Sequence, residues 1–318
     1  TEPGQTVTAK IDLSGVKVGQ TCLVQVIDYA GNAAQALVTY GGEPEDYSGR
    51  LFAFTDSTYL GTGYRWVSVD PDKLYYNSST KNEGIETAGA TEIAPTAAEY
   101  VKGYLYAAAN DGYLYVMKPG EWSLNRKVAW YGKDMVIRDM AYNRKDGKLY
   151  ALDNQNNIYT VDLLTGAMEK AFTVSITNPK ATPAQFDTFK YLLSLAIDAD
   201  GNFYSVNRST SNLYSFLYRW TLDEVVDGEI VDLPPIVNAA DAYTGQYSVC
   251  YGAMTYDEAN DRLLFASSAS VSGGGTQFLV TFDLETGKAV KVNSTYYYKK
   301  ETEASKLQPT LWTLVYIP

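Results

Sequence analysis

Apolar residues in this chain come in short runs bounded by Gly, Asn and Asp, and the pattern is clearest between Asp139 and Gly166. Met140-Ala141-Tyr142, Lys148 to Leu152 and Ile158 to Asp162 read as three strands. Asn143 and Lys145-Asp146-Gly147 separate the first two, and Asp153 to Asn157 separates the second pair. Leu163-Leu164-Thr165-Gly166 then turns the chain into a fourth strand, Ala171 to Ser175. Short aromatic and β-branched runs punctuated in this way are the hairpin signal. One such sheet buries too little alone, so its recurrence along the chain decides the fold.

It recurs. Relatives of the second strand begin at Leu51, Leu105, Leu149, Phe203 and Leu263, which are 54, 44, 54 and 60 positions apart. The preceding strand returns as Leu195-Ala196-Ile197 and Met254-Thr255-Tyr256, each before a polar turn. The third strand and its exit return as Leu279 to Leu284 with Thr286-Gly287, matching Tyr159 to Leu163 with Thr165-Gly166. Four-stranded blades at roughly 40–50 residues each predict an all-β fold, a β-propeller. Leu311 to Tyr316 resembles an inner first strand with nothing after it, whereas Leu51 to Phe54 is a second strand with no first. Joining them in one blade closes the ring and leaves no free edge. That arrangement has five blades. Six is the alternative, with Arg65 to Asn77 read as a strand pair of its own; Ser78 to Thr96, rich in Gly, Ser, Thr and Ala, reads as a surface loop. Further excursions fall at Pro179 to Phe189, Val226 to Tyr243 and Ser267 to Thr276, and a functional surface is expected in these longer inserts.

The first forty residues differ. Thr6 to Ile11, Thr21 to Asp28 and Ala34 to Tyr40 read as three strands, too few for a sandwich that needs about seven. Gly41 to Asp46 carries Gly, Pro and acids without an apolar period, so the expected division is 1–42 and 43–318. Val18 to Tyr40, VGQTCLVQVIDYAGNAAQALVTY, resembles the closing strands of the fibronectin-III-like modules that follow the catalytic domain in lactocepin-type cell-envelope subtilisin proteases. The Asp28 to Asn32 turn carries the resemblance, which covers about an eighth of the chain. It implies a partial immunoglobulin-like sandwich ahead of the propeller, and a secreted or wall-attached multidomain bacterial parent. None of the subtilase catalytic motifs occurs here, so it implies no protease activity for this segment.

Composition removes whole classes of chemistry. The chain of 318 residues has no histidine, which excludes imidazole bases, Ser-His-Asp and Cys-His systems and His-ligated zinc. With 37 acids against 26 bases and a net charge of −11, it lacks a phosphate-neutralising stripe, and nucleic acid is not an expected partner. There is no apolar run long enough to span a bilayer, and Thr1 to Lys10 does not read as a signal peptide, so the segment is expected to be an internal piece of a longer protein. Cys22 and Cys250 lie in different modules and are expected to be buried, unpaired thiols. The 28 tyrosines push the composition towards strand.

Candidate chemistry is sparse. Asp198-Ala199-Asp200-Gly201-Asn202 opens like a calcium loop, but its counterparts elsewhere are plain turns, and it is read as a turn. Asp162 and Asp283 are expected to cap turns through backbone N–H groups. Gly273-Gly274-Gly275 precedes no helix and is not a phosphate cradle. Trp66, Trp220 and Trp312 are read as packing between blades. Trp130-Tyr131 and Tyr296-Tyr297-Tyr298 flank loops and are candidates for exposure. The binding candidates are therefore Trp130, Tyr131, Arg138, Asp139 and Tyr297. No catalytic residue, metal or cofactor is implied. The expected function is a monomeric, non-catalytic binding or spacer module of an extracellular surface protein, meeting a glycan or protein through one propeller face. The alternative is a glycosidase or lyase working through channel carboxylates, with Arg138 and Asp139 as its adjacent candidates.

Overall fold

In the computed structural model, residues 19–27, 32–39, 45–55, 64–73, 75–77, 80–123, 126–179, 182, 190–208, 215–236, 249–271, 274–291, 296–297, 311 and 313–318 are described. They belong to two compact units, Thr1–Asp46 and Tyr47–Pro318. In the first, β1 (Thr21–Ile27) and β2 (Ala33–Thr39) pair antiparallel with Thr21 opposite Thr39. Among the described residues of this unit the hairpin buries little, and Cys22 on it is a free thiol that is half-exposed, not buried as expected. The expected strand at Thr6 to Ile11 and the side chain of Cys250 lie outside the described residues.

In the second unit β3 (Arg50–Thr55) and β4 (Tyr64–Val69) pair, β5 (Tyr75–Asn77) and β6 (Thr80–Glu83) form a side hairpin, and β7 (Ile85–Thr91) pairs with β4. Blade 2 runs β8 (Pro95–Val101), β9 (Tyr104–Ala109), β10 (Tyr113–Met117) and β11 (Arg126–Trp130). Blade 3 runs β12 (Ile137–Asn143), β13 (Lys148–Asp153), β14 (Asn157–Val161) and β15 (Met168–Ile176). Blade 4 has β16 (Ala196–Ile197), β17 (Phe203–Val206) and β18 (Leu217–Trp220). The next strand, β19 (Glu229–Leu233), lies parallel to β15 on the outside of blade 3. Blade 5 runs β20 (Val249–Asp257), β21 (Arg262–Val271), β22 (Gly274–Phe282) and β23 (Ala289–Lys291), with β24 (Tyr296–Tyr297) also on β22. Last, β25 (Thr313–Ile317) pairs with β3, Val315 opposite Phe52, and is the inner strand of blade 1. The fold is a five-bladed β-propeller closed by strands from both ends of the unit.

Two sequence expectations are corrected. Arg65 to Asn77 is not a separate strand pair: β4 is the third strand of blade 1, bonded on both sides, so the six-blade count falls. Nor is Ser78 to Thr96 a loop, because β6 and β7 lie within it. One of its small residues, Gly89, is required by packing. A Cβ on Gly89 would collide with the Trp122 side chain, so the bulk at that contact comes from the tryptophan of blade 2.

Ring closure is visible in the core. Five apolar clusters each combine two neighbouring blades, for example Leu105 and Trp122 of blade 2 with Phe52 and Trp66 of blade 1. Second strands are buried on both faces between such clusters, which is why they read as unbroken apolar runs. Trp66 and Trp220 are fully buried, Trp220 stacked on Phe203 at 5.7 Å. Trp312 lies outside the described residues.

The tyrosines have a second use besides strand propensity. Tyr115, Tyr150, Tyr159, Tyr204 and Tyr256 donate their hydroxyls to Asp111, Asp146, Asp153, Asp198 and Asp261, at 2.6 to 3.2 Å. In the first four pairs the tyrosine stands on the strand that leaves the turn; Asp153 and Asp198 open their turns, whereas Asp111 and Asp146 lie within theirs. Asp198 takes in Asp200 and Asn202 N–H groups and the Asn202 amide besides Tyr204, the geometry of a turn. Asp162 accepts from Leu164 and Thr165, and Asp283 from Glu285 and Thr286, as the matched exits implied.

Candidate functional site

A propeller's inner strands have no neighbour on the axial side, so alternate N–H groups along each point into the channel and need acceptors. Met140, Leu195 and Met254 occupy matching positions, each two residues before a residue paired with the start of its second strand (Tyr142–Leu149, Ile197–Phe203, Tyr256–Leu263). All three N–H groups donate to one carboxylate. Asp139 Oδ1 accepts from Met140 at 3.0 Å, and Oδ2 accepts from Leu195 and Met254 at 2.9 Å each. The Asp139 side chain is completely buried. Burial raises its pKa well above the ordinary carboxylate value, the three N–H donors oppose that rise, and the charge of Glu99 adds to it.

Glu99, on β8, does the same one level along. Its carboxylate accepts the N–H of Tyr100 at 2.9 Å and that of Tyr142, the residues paired with the starts of their second strands. Thr255 Oγ1 accepts the N–H of Tyr316 at that level, 3.2 Å away. Burial pushes Glu99 up to about 8, against the pull of the Arg144 guanidinium and its backbone donors. The channel is thus filled at two successive levels by acids serving the backbone of several blades.

Where the inner strands begin, a cavity of about 340 Å³ opens. Pro95 and Ile137 line it from the first residues of β8 and β12, Leu193 from just before β16 and Gly252 from within β20. Phe54 lines it from the end of β3, Tyr64 from the start of β4 and Asn110 from the β9–β10 turn, and Thr96 and Arg138 add polar groups. The rings of Phe54 and Tyr64 lie 5.7 Å apart, with Phe54 buried and Tyr64 exposed by 43%. Arg138 is half-buried and is the charged residue among the described residues of the lining. Gly252 is required by close packing: a Cβ there would run into the buried Phe265 ring.

The five sequence candidates are dispersed around this feature. Arg138 lines the cavity. Asp139, next in the chain, belongs to the filled channel. Tyr131 stands behind the lining: its hydroxyl donates to the Ala109 carbonyl at 2.6 Å and its N–H to Gly112 at 2.8 Å, fixing the turn that carries Asn110. Burial raises the Tyr131 hydroxyl far above its ordinary pKa, so it remains a donor. Trp130 ends the outer strand of blade 2 and is 65% exposed. Tyr297 pairs with Thr276 on blade 5, and its side chain is outside the described residues.

Sequence reasoning missed Glu99, Phe54, Tyr64 and Asn110. Glu99 left one signal, a single acid inside the otherwise apolar strand Pro95–Val101. The others occupy strand ends, where nothing local separates a cavity wall from an ordinary turn. Among the described residues no helix is long and apolar enough to cross a membrane, and no three of His, Cys, Asp and Glu form a metal-holding group. No protein-family model matches the sequence, and no curated protein does.

Proposed function

We propose that the propeller is a non-catalytic binding module of an extracellular, multidomain bacterial surface protein, and that it holds the end of a glycan in the cavity at the mouth of its channel. One observation carries this reading. The cavity combines aromatic faces, a side-chain amide, a hydroxyl and a guanidinium in a concave space of about 340 Å³, within the range of small-ligand sites. A flat partner surface would not fill such a space, whereas a projecting sugar would. The resemblance of Val18 to Tyr40 to modules of cell-envelope proteins supports the extracellular setting.

The same geometry weighs against a hydrolase working through channel acids. A general acid or nucleophile must reach the bond it cleaves. Both Asp139 oxygens are engaged by backbone N–H groups, and Glu99 is buried between inner strands. A glycan array probed with the full chain, followed by titration of the hits, tests the proposal. Saturable binding that Tyr64→Ala and Asn110→Ala weaken, with the oligosaccharide recovered intact, is the expected result. Hydrolysis or elimination of a bound oligosaccharide would overturn it.

A further inference from the structure

We infer that Asp139 is a positioning residue for the cavity: by tying three inner strands together it fixes the layer of residues on which a bound glycan rests. This depends on the binding-module reading and adds to it the residue that sets the shape of the site. Tyr100, Tyr142, Ile197 and Tyr256 are paired with the starts of their second strands, and Thr96, Arg138, Leu193 and Gly252 each stand four positions before them. All four line the cavity, so they form one layer across blades 2 to 5. Met140, Leu195 and Met254 stand two positions after Arg138, Leu193 and Gly252, and theirs are the N–H groups that the Asp139 carboxylate accepts. Two residues of extended strand span about 7 Å, so the tie lies directly beneath the lining layer.

The strand ladders do not supply this tie. They join each inner strand to the second strand of its own blade, as Gly252 is paired with Ser267, and do not set one blade against the next. In blades 2 and 3 the ladder is also interrupted at the lining layer, between Pro95 and Ala97 and between Ile137 and Asp139. Thr96 and Arg138 are the extra residues of these bulges, and a bulge re-aims the side chain it carries. Apolar packing between blades is non-directional, whereas hydrogen bonds to one carboxylate fix both distance and direction. The Met140 N–H belongs to the strand of Asp139 itself and goes to Oδ1. The two N–H groups from other blades, Leu195 and Met254, converge on Oδ2 at 2.9 Å each. The separation of the blade 3, 4 and 5 strands beneath the cavity is therefore set at that oxygen, and a small error in such a supporting shell is passed on to the site above it.

The test compares the unaltered full chain with Asp139→Ala, Asp139→Asn and Tyr150→Phe on an array of chitin, peptidoglycan, xylan, pectin and mucin oligosaccharides. Calorimetric titration with the oligosaccharide of strongest signal follows. Asp139→Ala should bind it at least about tenfold more weakly. Asp139→Asn, whose one carbonyl oxygen can accept from both Leu195 and Met254, should recover most of that loss. Tyr150→Phe removes a hydrogen bond to Asp146, in the turn at the opposite end of β12 from the cavity, so it should lower the melting temperature and leave affinity unchanged. An equal loss of affinity in Tyr150→Phe would reduce the effect of Asp139 to general destabilisation and overturn the inference. Should Asp139→Ala fail to fold, the unaltered protein carries the test. Saturation with the same oligosaccharide should then shift the amide resonances of Leu195 and Met254, and not those of Tyr100 and Tyr142, which Glu99 holds further along the channel. Unchanged affinity in Asp139→Ala, or unmoved Leu195 and Met254 resonances, would overturn the positioning role and leave the binding module standing. No signal from the unaltered chain anywhere on the array would overturn both.

Discussion

Met254 follows Asp139 by 115 positions, and its backbone N–H donates to the Asp139 carboxylate at 2.9 Å. The same oxygen takes the N–H of Leu195, so one side chain of blade 3 is bonded to the inner strands of blades 4 and 5 as well as its own. An N–H group on the axis has no strand partner, and with water excluded it would be unsatisfied. Asp139 therefore works as a central tie between blades that sequence separates widely.

Replacing Asp139 tests that role. Asp139→Ala removes the acceptor of three buried N–H groups, and leaving such groups unmade costs roughly 1–3 kcal/mol each when water cannot enter. A loss of about 3 kcal/mol is expected, with Asp139→Asn milder because one carbonyl oxygen is kept. Urea unfolding measures it. A change under about 0.5 kcal/mol for the alanine variant would show that the channel hydrates freely, contrary to the closed arrangement.

Glu99 should make stability depend on pH in an unusual direction. Its folded-state value lies near 8, above the ordinary 4.5. Below pH 4.5 both folded and unfolded chains hold the proton, and Glu99 contributes nothing. Between 4.5 and about 8 the folded chain binds more protons, so this contribution falls as pH rises and levels off above about 8. Asp162 and Asp283 are depressed, chiefly by the backbone N–H groups of Thr165 and Thr286, and their stabilisation is lost as pH falls below the ordinary carboxylate range. The midpoint of urea unfolding should therefore peak near pH 5 and decline towards pH 9. Glu99→Gln should flatten the alkaline decline, and an unaltered slope in that variant would assign the decline to another group.

The ring was legible in the sequence because its second strands are buried on both faces, so Leu51, Leu105, Leu149, Phe203 and Leu263 open unbroken apolar runs. The matched turns at Asp162 and Asp283 were legible for a similar reason, since capping is local and needs only nearby residues. What escaped depends on partners from other blades. The segment around Gly89 looked like a loop because the bulk it packs against belongs to Trp122. β19 was hidden in an excursion because its mate, β15, belongs to the preceding blade, where Ile230 and Leu233 join Val174 and Ile176 in the core. Asp139 and Arg138 were singled out as adjacent charges, but adjacency could not show that one fills the channel and the other faces the cavity.

The Asp–Tyr pairs give five of the 28 tyrosines a role beyond packing. In Tyr150 the ring packs between blades while the hydroxyl reaches Asp146 at 2.6 Å at the edge of the sheet. Tyr150→Phe keeps the packing and removes one hydrogen bond to a charged group, for which about 1.5–3 kcal/mol is usual. The lower end is expected because Asp146 is open to solvent. In a double-mutant cycle with Asp146→Ala, the coupling energy should be about 1 kcal/mol, and additivity of the two single variants would deny the latch.

Gly252 joins the core to the cavity, and a methyl group there should report on both. The Phe265 ring occupies the space a Cβ would need, and it is fully buried between blades 4 and 5. Gly252→Ala must displace it, and overpacking of this kind costs about 1–3 kcal/mol. Thinning the ring with Phe265→Leu also destabilises alone, by leaving a void. Combined, the two changes relieve each other, so the double variant should be more stable than the sum of the single losses implies, by about 1 kcal/mol. Thermal unfolding of the four proteins measures this. Strict additivity would mean that the β20 backbone at Gly252 shifts outward to accept the methyl group. In that case ligand affinity at the cavity, which Gly252 lines, should change in Gly252→Ala even where stability does not.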